Sequence, residues 1–241
     1  MYAIKTTSLT KCYGEKAVVD HIDLSIREGE LFALLGMNGA GKTTTIKMLT
    51  GLIAPTSGDG EILGSSILQD VQRVKSYTNV SPQETAVARN LTVRENLELM
   101  AGIYGSSRRA AKEKAEEMVQ QLHMQDVKHT KAKHLSGGWQ RRLSIAMALV
   151  SEPKVLFLDE PTLGLDVLAR RELWDFICGL KGKITIILTT HYLEEAVALS
   201  DRIGILAEGK LKACGTVEEM LKLTGEQAFE EAFIKLAGGA R

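Results

Sequence analysis

The chain has 241 residues, 44% of them hydrophobic and 25% charged, which suits one large α/β domain or two small ones. Folding at this length hides roughly 70–75% of the unfolded surface, and the scattered Cys12, Cys178 and Cys214 suggest neither a disulfide framework nor a zinc site. Thirty basic residues balance thirty acidic ones, which argues against a surface built throughout for nucleic acid or an anionic membrane.

The N-terminal residues Met1 to Thr6 lack the apolar core of a signal peptide. No apolar run approaches the roughly 18 residues of a spanning helix. A soluble, reduced, cytoplasmic protein is the expectation. Alternation through Ala3, Ile4, Leu9, Val18, Val19, Ile22, Leu24 and Ile26 predicts half-buried antiparallel strands. Leu31 to Leu35 is a continuous apolar run, as in a strand covered on both faces. Val155 to Leu158, Ile184 to Leu188 and Ile203 to Leu206 repeat it, so a buried parallel sheet is expected.

From about Glu84 to Ser151 helical spacing takes over, through Val93, Leu97, Met100 and Tyr104, then Ala115, Met118, Val119 and Leu122. This predicts a helical insert, residues 84–151, in a core made of residues 1–83 and 152–241. Its stretch from Arg108 to Arg142 leans basic, with Arg141 and Arg142 at its end. A solvated helix face or a partner surface would each explain that. From Thr216 to Arg241 apolar residues recur at helical spacing, suggesting amphipathic helices that pack on the core or support a dimer.

Gly36-Met37-Asn38-Gly39-Ala40-Gly41-Lys42-Thr43 matches G-x-x-x-x-G-K-[ST], after a buried strand and before the helix-forming run Thr44 to Leu49. Glycines let successive backbone N–H groups converge on phosphate oxygens, and the helix start adds partial positive charge. Lys42 would reach the β- and γ-phosphates, and the Thr43 hydroxyl would bind Mg²⁺. Val155 to Leu158 ends in Asp159 and Glu160, which sets one carboxylate to hold the metal and the next to act as general base on water.

With Leu135-Ser136-Gly137-Gly138 the chain resembles the nucleotide-binding subunits of ATP-binding cassette (ABC) transporters over nearly its whole length. The resemblance implies a P-loop NTPase fold of α/β class. Its RecA-like core has a mostly parallel sheet, with an N-terminal antiparallel β subdomain and an inserted helical subdomain. It also implies that Tyr13 stacks on adenine, that Asn38, Gly39, Ala40, Gly41, Lys42, Thr43 and Thr44 cradle the ATP phosphates, and that Gln83 serves the Mg²⁺ and the reaction centre. Ser136, Gly137 and Gly138 match the family's signature motif, Asp159 and Glu160 its Walker B segment, Asp166 its D-loop, and His191 its switch histidine. Ser136 can cap a helix starting near Gly138, whose free N–H groups form a second anion site.

In the family such ends close on a second domain's ATP, so a head-to-tail dimer is implied, either a homodimer or a pair with another ATP-binding subunit. Integral-membrane permease subunits on a separate chain are implied too, with a place at the inner face of the cell membrane and no nucleic acid. The likeness is greatest to bacterial exporter ATPases of the drug, antibiotic or polysaccharide type. A soluble ABC ATPase of iron–sulfur cluster assembly would share every catalytic motif. This chain departs from the pattern at Trp139, where the family usually has glutamine, and at Met37, where proline is frequent. Neither change removes a catalytic group, so an active ATP hydrolase is expected.

Overall fold

The computed structural model describes residues 1–238; the last three residues of the predicted C-terminal helical stretch lie outside the described residues. The alternating N-terminal segment forms β1 (Tyr2–Tyr13), β2 (Lys16–Ile22) and β3 (Ser25–Arg27). After them come β4 (Leu31–Leu35), α1 (Lys42–Leu49), β5 (Ser57–Ile62), β6 (Ser65–Ser66), α2 (Val71–Tyr77) and β7 (Thr78–Ser81). Three helices follow without an intervening strand: α3 (Val93–Ile103), α4 (Arg108–Gln121) and α5 (Gly137–Leu149). The chain then runs through β8 (Val155–Asp159), α6 (Val167–Cys178), β9 (Thr185–Thr190), α7 (Leu193–Leu199), β10 (Arg202–Ala207) and β11 (Lys210–Gly215) to α8 (Val217–Thr224) and α9 (Phe229–Gly238).

Two sheets result. One is antiparallel, in the order β2-β1-β5-β6 with β3 also on β1. The other has the order β11-β10-β4-β9-β8-β7 and is parallel except for β11 at its edge. The run Leu31–Leu35 is apolar throughout because its side chains feed two cores. Phe32 and Leu34 pack between the sheets with Ile4, Leu9, Ile26 and Ile62, while Leu31, Ala33 and Leu35 face the helices.

The expected helical insert is present as α3 to α5, and its first helix is fixed by a reciprocal cap. Thr92 accepts from the Glu95 N–H, and the Glu95 carboxylate accepts from the Thr92 N–H. Four of the nine basic residues from Arg108 to Arg142 are paired within the chain: Arg109 with Glu113, Lys114 with Glu152, Lys128 with Glu116 and Arg142 with Glu172. Arg141 belongs to no exposed face, since only 4% of it is accessible. Helix α8 carries the same kind of cap at Thr216 and Glu219. Phe233 and Leu236 of α9 lie against the helical core, and no described helix is long and apolar enough to cross a membrane.

Parallel strands place their carboxyl ends on one edge of the sheet, where loops collect the polar groups. The loop after β4 carries Asn38 to Gly41 and leads into Lys42 at the start of α1, β8 ends in Asp159, and Gln83 and His191 follow β7 and β9 closely.

Candidate active site

The β4–α1 loop is shaped around glycine. Gly41 has φ +105°, and a Cβ there would stand 2.6 Å from the Val18 carbonyl oxygen, so both conformation and space demand its lack of a side chain. A Cβ on Gly36 would collide with the Leu206 carbonyl. No side chain caps α1, which leaves its first amides directed at the loop, ready for an anion.

Lys42, at the start of α1, is 5% exposed. A buried ammonium needs partners, and its Nζ donates to the carbonyls of Gly36 at 2.8 Å and Met37 at 3.2 Å. Glu160 Oε1 lies 3.3 Å away. The other carboxylate oxygen of Glu160 is 3.2 Å from His191 Nδ1, close enough to attract a protonated ring but without an aligned hydrogen bond. Glu160 thus stands between the loop lysine and the histidine.

Glu160 holds an uncommon backbone conformation, φ +46°, of the kind that costs about 1–3 kcal/mol and persists only when neighbours enforce it. Its N–H donates to the Thr189 carbonyl at 3.1 Å and the Thr189 hydroxyl at 3.0 Å. Its carbonyl accepts from Arg141 Nη2 at 3.3 Å. Beside it, Asp159 Oδ1 accepts from the Thr43 hydroxyl at 3.1 Å and the Thr189 hydroxyl at 2.5 Å.

A cavity of about 370 Å³ brings most of the expected residues together: Asn38 to Thr44 of the loop and the first turn of α1, with Val18, Gln83, Glu160, Leu163 and His191. Asp159 sits just behind, through Thr43. Tyr13 is not among the lining; it is 54% exposed at the end of β1, paired with Lys16, with the Lys11 ammonium 5.4 Å from its ring.

Ser136, Gly138 and Asp166 line a second cavity of about 290 Å³, which shares no lining residue with the first. Ser136 is the N-cap of α5, as its spacing suggested, and its oxygen accepts from the Trp139 N–H at 3.4 Å. Gly137 opens that helix. Asp166 caps α6, accepting from Ala169 N–H at 2.9 Å. A Cβ on Gly138 would stand 3.1 Å from Ala169 Cβ, so the two helix starts are tightly apposed. Trp139 is taken up by stacking: the Arg142 guanidinium lies 4.6 Å from its ring and 5.7 Å from that of Phe176.

Sequence reasoning missed one residue of the site by treating it as part of a basic face. Arg141 donates to the Pro82 and Gln83 carbonyls, both at 2.6 Å, and to Glu160 O. It locks the Gln83 loop to the Glu160 loop. Burial pulls its pKa down, and the charges of Asp159 and Glu195 oppose that shift. In the structure Arg141 shares the buried face of α5 with Ser144, Ile145 and Ala148, and only the helical spacing of that face hints at it in the sequence.

The residues fit a magnesium ion held jointly with phosphates. A hard divalent cation of this kind takes one or two protein oxygens and fills its shell with phosphate oxygens and water. Thr43 and Asp159 supply adjacent oxygens, and among the described residues no cluster of three or more His, Cys, Asp or Glu offers an all-protein cage.

Residues 19–163 match the family model described as ABC transporter. The chain belongs to the ABC transporter family. This ABC ATPase is an ATP-binding chain and an ATP hydrolase. It is 42% identical over 217 residues to human phospholipid-transporting ATPase ABCA3, covering 88% of this chain and 13% of that protein. It is 38% identical over 239 residues to the probable multidrug ABC transporter ATP-binding protein YbhF of Escherichia coli, covering 97% of this chain and 41% of YbhF. The ABC ATPase therefore spans less than half the length of these two relatives. A solved ATP-binding subunit of an ABC transporter superposes with TM-score 0.83 and 30% identity, covering 97% of this chain and 99% of that one. The dimeric post-hydrolysis structure of the cassette MJ0796, bound to ADP and Pi, does so with TM-score 0.77 and 25% identity, covering 88% and 98%.

Proposed function

We propose that this ABC ATPase is the motor subunit of an exporter-type transporter, working as a head-to-tail dimer that drives separate membrane-spanning subunits from the inner face of the cell membrane. One observation carries the reading: two helix starts suited to anions open into cavities with no lining residue in common. The first has a lysine, a carboxylate and a histidine for a nucleotide's phosphates. The second has a capping serine and glycine amides, its carboxylates Asp166 and Glu172 being taken up by a helix cap and an ion pair, and the fitting occupant for it is the phosphate end of ATP held by another copy. MJ0796, a cassette with ADP and Pi in a dimer, supports this arrangement. The multidrug name of YbhF supports export.

Within that dimer Lys42 neutralises the β- and γ-phosphates, and Tyr13 stacks on the base. Thr43, Asp159 and Gln83 would hold Mg²⁺, which when bound offsets the negative charge of the phosphates. The contacts at rest suggest an exchange. A phosphate that draws the Lys42 ammonium away from Glu160 Oε1 leaves that oxygen to accept a proton from the attacking water. His191, against the other Glu160 oxygen, orients that water and the γ-phosphate. Ser136, Gly137, Gly138 and Asp166 complete the partner's site.

The test uses Glu160→Gln. With saturating ATP it should keep nucleotide, lose turnover by about 10²–10⁴-fold, and run as a dimer in size-exclusion chromatography with light scattering. A monomer under those conditions contradicts the composite site. Pull-down of the tagged chain from detergent-solubilised membranes should bring a membrane-spanning subunit with it. Recovery of the ATPase alone, with turnover indifferent to reconstitution, removes the transport reading.

A further inference from the structure

A buried carboxyl that takes no direct part in the chemistry described above ties α7, the helix that follows His191, to α6. Glu195 is wholly inaccessible and lies on α7, four residues after His191. The indole Nε1 of Trp174, on α6, donates to its Oε1 at 3.2 Å. The hydroxyls of Thr162 and Thr190 lie near the same carboxyl without an aligned hydrogen bond to it, with the Arg170 guanidinium farther off. Thr162 follows Glu160 by two residues, and Thr190 directly precedes His191.

The cluster is not fully satisfied. Glu195 Oε2, Thr162 Oγ1 and Arg170 Nε are all buried without an aligned partner, so Thr162 is close enough to favour a charged carboxyl yet is not directed to bond it. Burial pushes the Glu195 carboxyl up from its ordinary range, while Thr190, Thr162, Trp174 and Arg170 act against that shift. A buried carboxyl is a costly way to fill space between two helices. What it supplies that an apolar side chain would not is a directional link from α6 to α7 and the His191 turn ahead of it.

We propose that Glu195 is a positioning residue for hydrolysis, its carboxyl holding α7, and with it His191 and the approach of His191 to Glu160, against Trp174 of α6. This rests on the roles given above to Glu160 and His191. Because α6 begins at Asp166, beside the second cavity, the same link carries the position of that cavity's edge to the hydrolytic pair.

The experiment measures kcat and KM for ATP hydrolysis, and affinity for a fluorescent ATP analogue, on Glu195→Ala, Glu195→Gln, Trp174→Phe and Glu160→Gln. Misplacing reacting groups by about 1 Å can cost about 10²-fold, so Glu195→Ala should lower kcat by roughly 10–10²-fold with KM and analogue affinity held within about threefold. Glu195→Gln should recover most of the rate, since its amide can accept from Trp174 and donate to a threonine. Trp174→Phe should fall between them. Unchanged kcat in folded Glu195→Ala, or equal damage from Ala and Gln, overturns the proposal. If Glu195→Ala does not fold, Trp174→Phe decides: lowered kcat at constant affinity supports the link, and unchanged kcat overturns it. Normal turnover by Glu160→Gln would instead refute the hydrolytic assignment, whereas an inactive Glu160→Gln beside a normal Glu195→Ala removes the positioning role alone.

Discussion

The starts of α1 and α5 are two versions of one device, a glycine-bearing helix end offering backbone N–H groups, and they differ in everything around it. The α1 end has no side-chain cap and is surrounded by buried charge, with Lys42, Asp159 and Glu160 each 8% exposed or less. The α5 end is capped by Ser136, and its charged neighbours Arg142 and Glu172 are committed to each other and to stacking on Trp139. On the proposed reading, binding and chemistry are concentrated at the first and the second serves recognition. One chain therefore holds a site that can bind phosphate by itself and a second helix end with no reaction of its own to run.

Lys42→Ala strikes the contrast hardest. It removes the one side-chain cation lining the first cavity and leaves the buried Glu160 carboxylate without its ammonium partner. Charge-assisted hydrogen bonds contribute about 1.5–3 kcal/mol each, so nucleotide affinity in equilibrium binding should drop by about 10–10²-fold. Ser136→Ala in the isolated chain should leave that affinity alone, costing about 1 kcal/mol of helix stability. Equal losses of affinity from the two variants would erase the distinction between the cradles.

Arg141→Met tests how the first site is held in place. It strips partners from the carbonyls of Pro82, Gln83 and Glu160 while filling much of the same volume. Unpaired buried groups should cost about 1–3 kcal/mol, read as a Tm lower by roughly 2–12 °C, with turnover reduced in the folded fraction. Full turnover at an unchanged Tm would mean that the Gln83 and Glu160 loops need no tie.

What could be read in advance follows from which signals are local. The apolar runs Leu31–Leu35 and Val155–Leu158 reveal parallel strands because alternate side chains serve two cores, and the phosphate loop is legible because its chemistry fixes residue types at fixed spacing. Strand β5 is silent. Its Ser-Gly-Asp-Gly-Glu-Ile has little strand preference, buries only Gly60 and Ile62, and owes its conformation to pairing with β1. Arg141 and Glu195 were equally hard to single out: charge usually marks the surface, and both are buried to serve loops distant in sequence. The residues that touch substrate have spacing to identify them, while those that hold them in place are defined by tertiary contacts.

The smallest effect is expected at Trp139, where this chain departs from the glutamine usual in the family. Trp139→Gln takes a ring from under the Arg142 guanidinium but leaves Phe176 and Glu172 near it, so the loss should be about 0.5–1 kcal/mol in chemical denaturation. The bond to Ser136 Oγ comes from the backbone N–H at position 139 and survives the change. Nucleotide affinity of the single chain should be untouched, because Trp139 lines the second cavity and not the first. In a Glu160→Gln background the same substitution should alter only the ATP-dependent dimer's dissociation rate, followed by dilution and light scattering. A shift in single-chain affinity would mean that the two cradles communicate within one molecule, through the apposed starts of α5 and α6, and the division into a binding half and a recognition half would have to be redrawn.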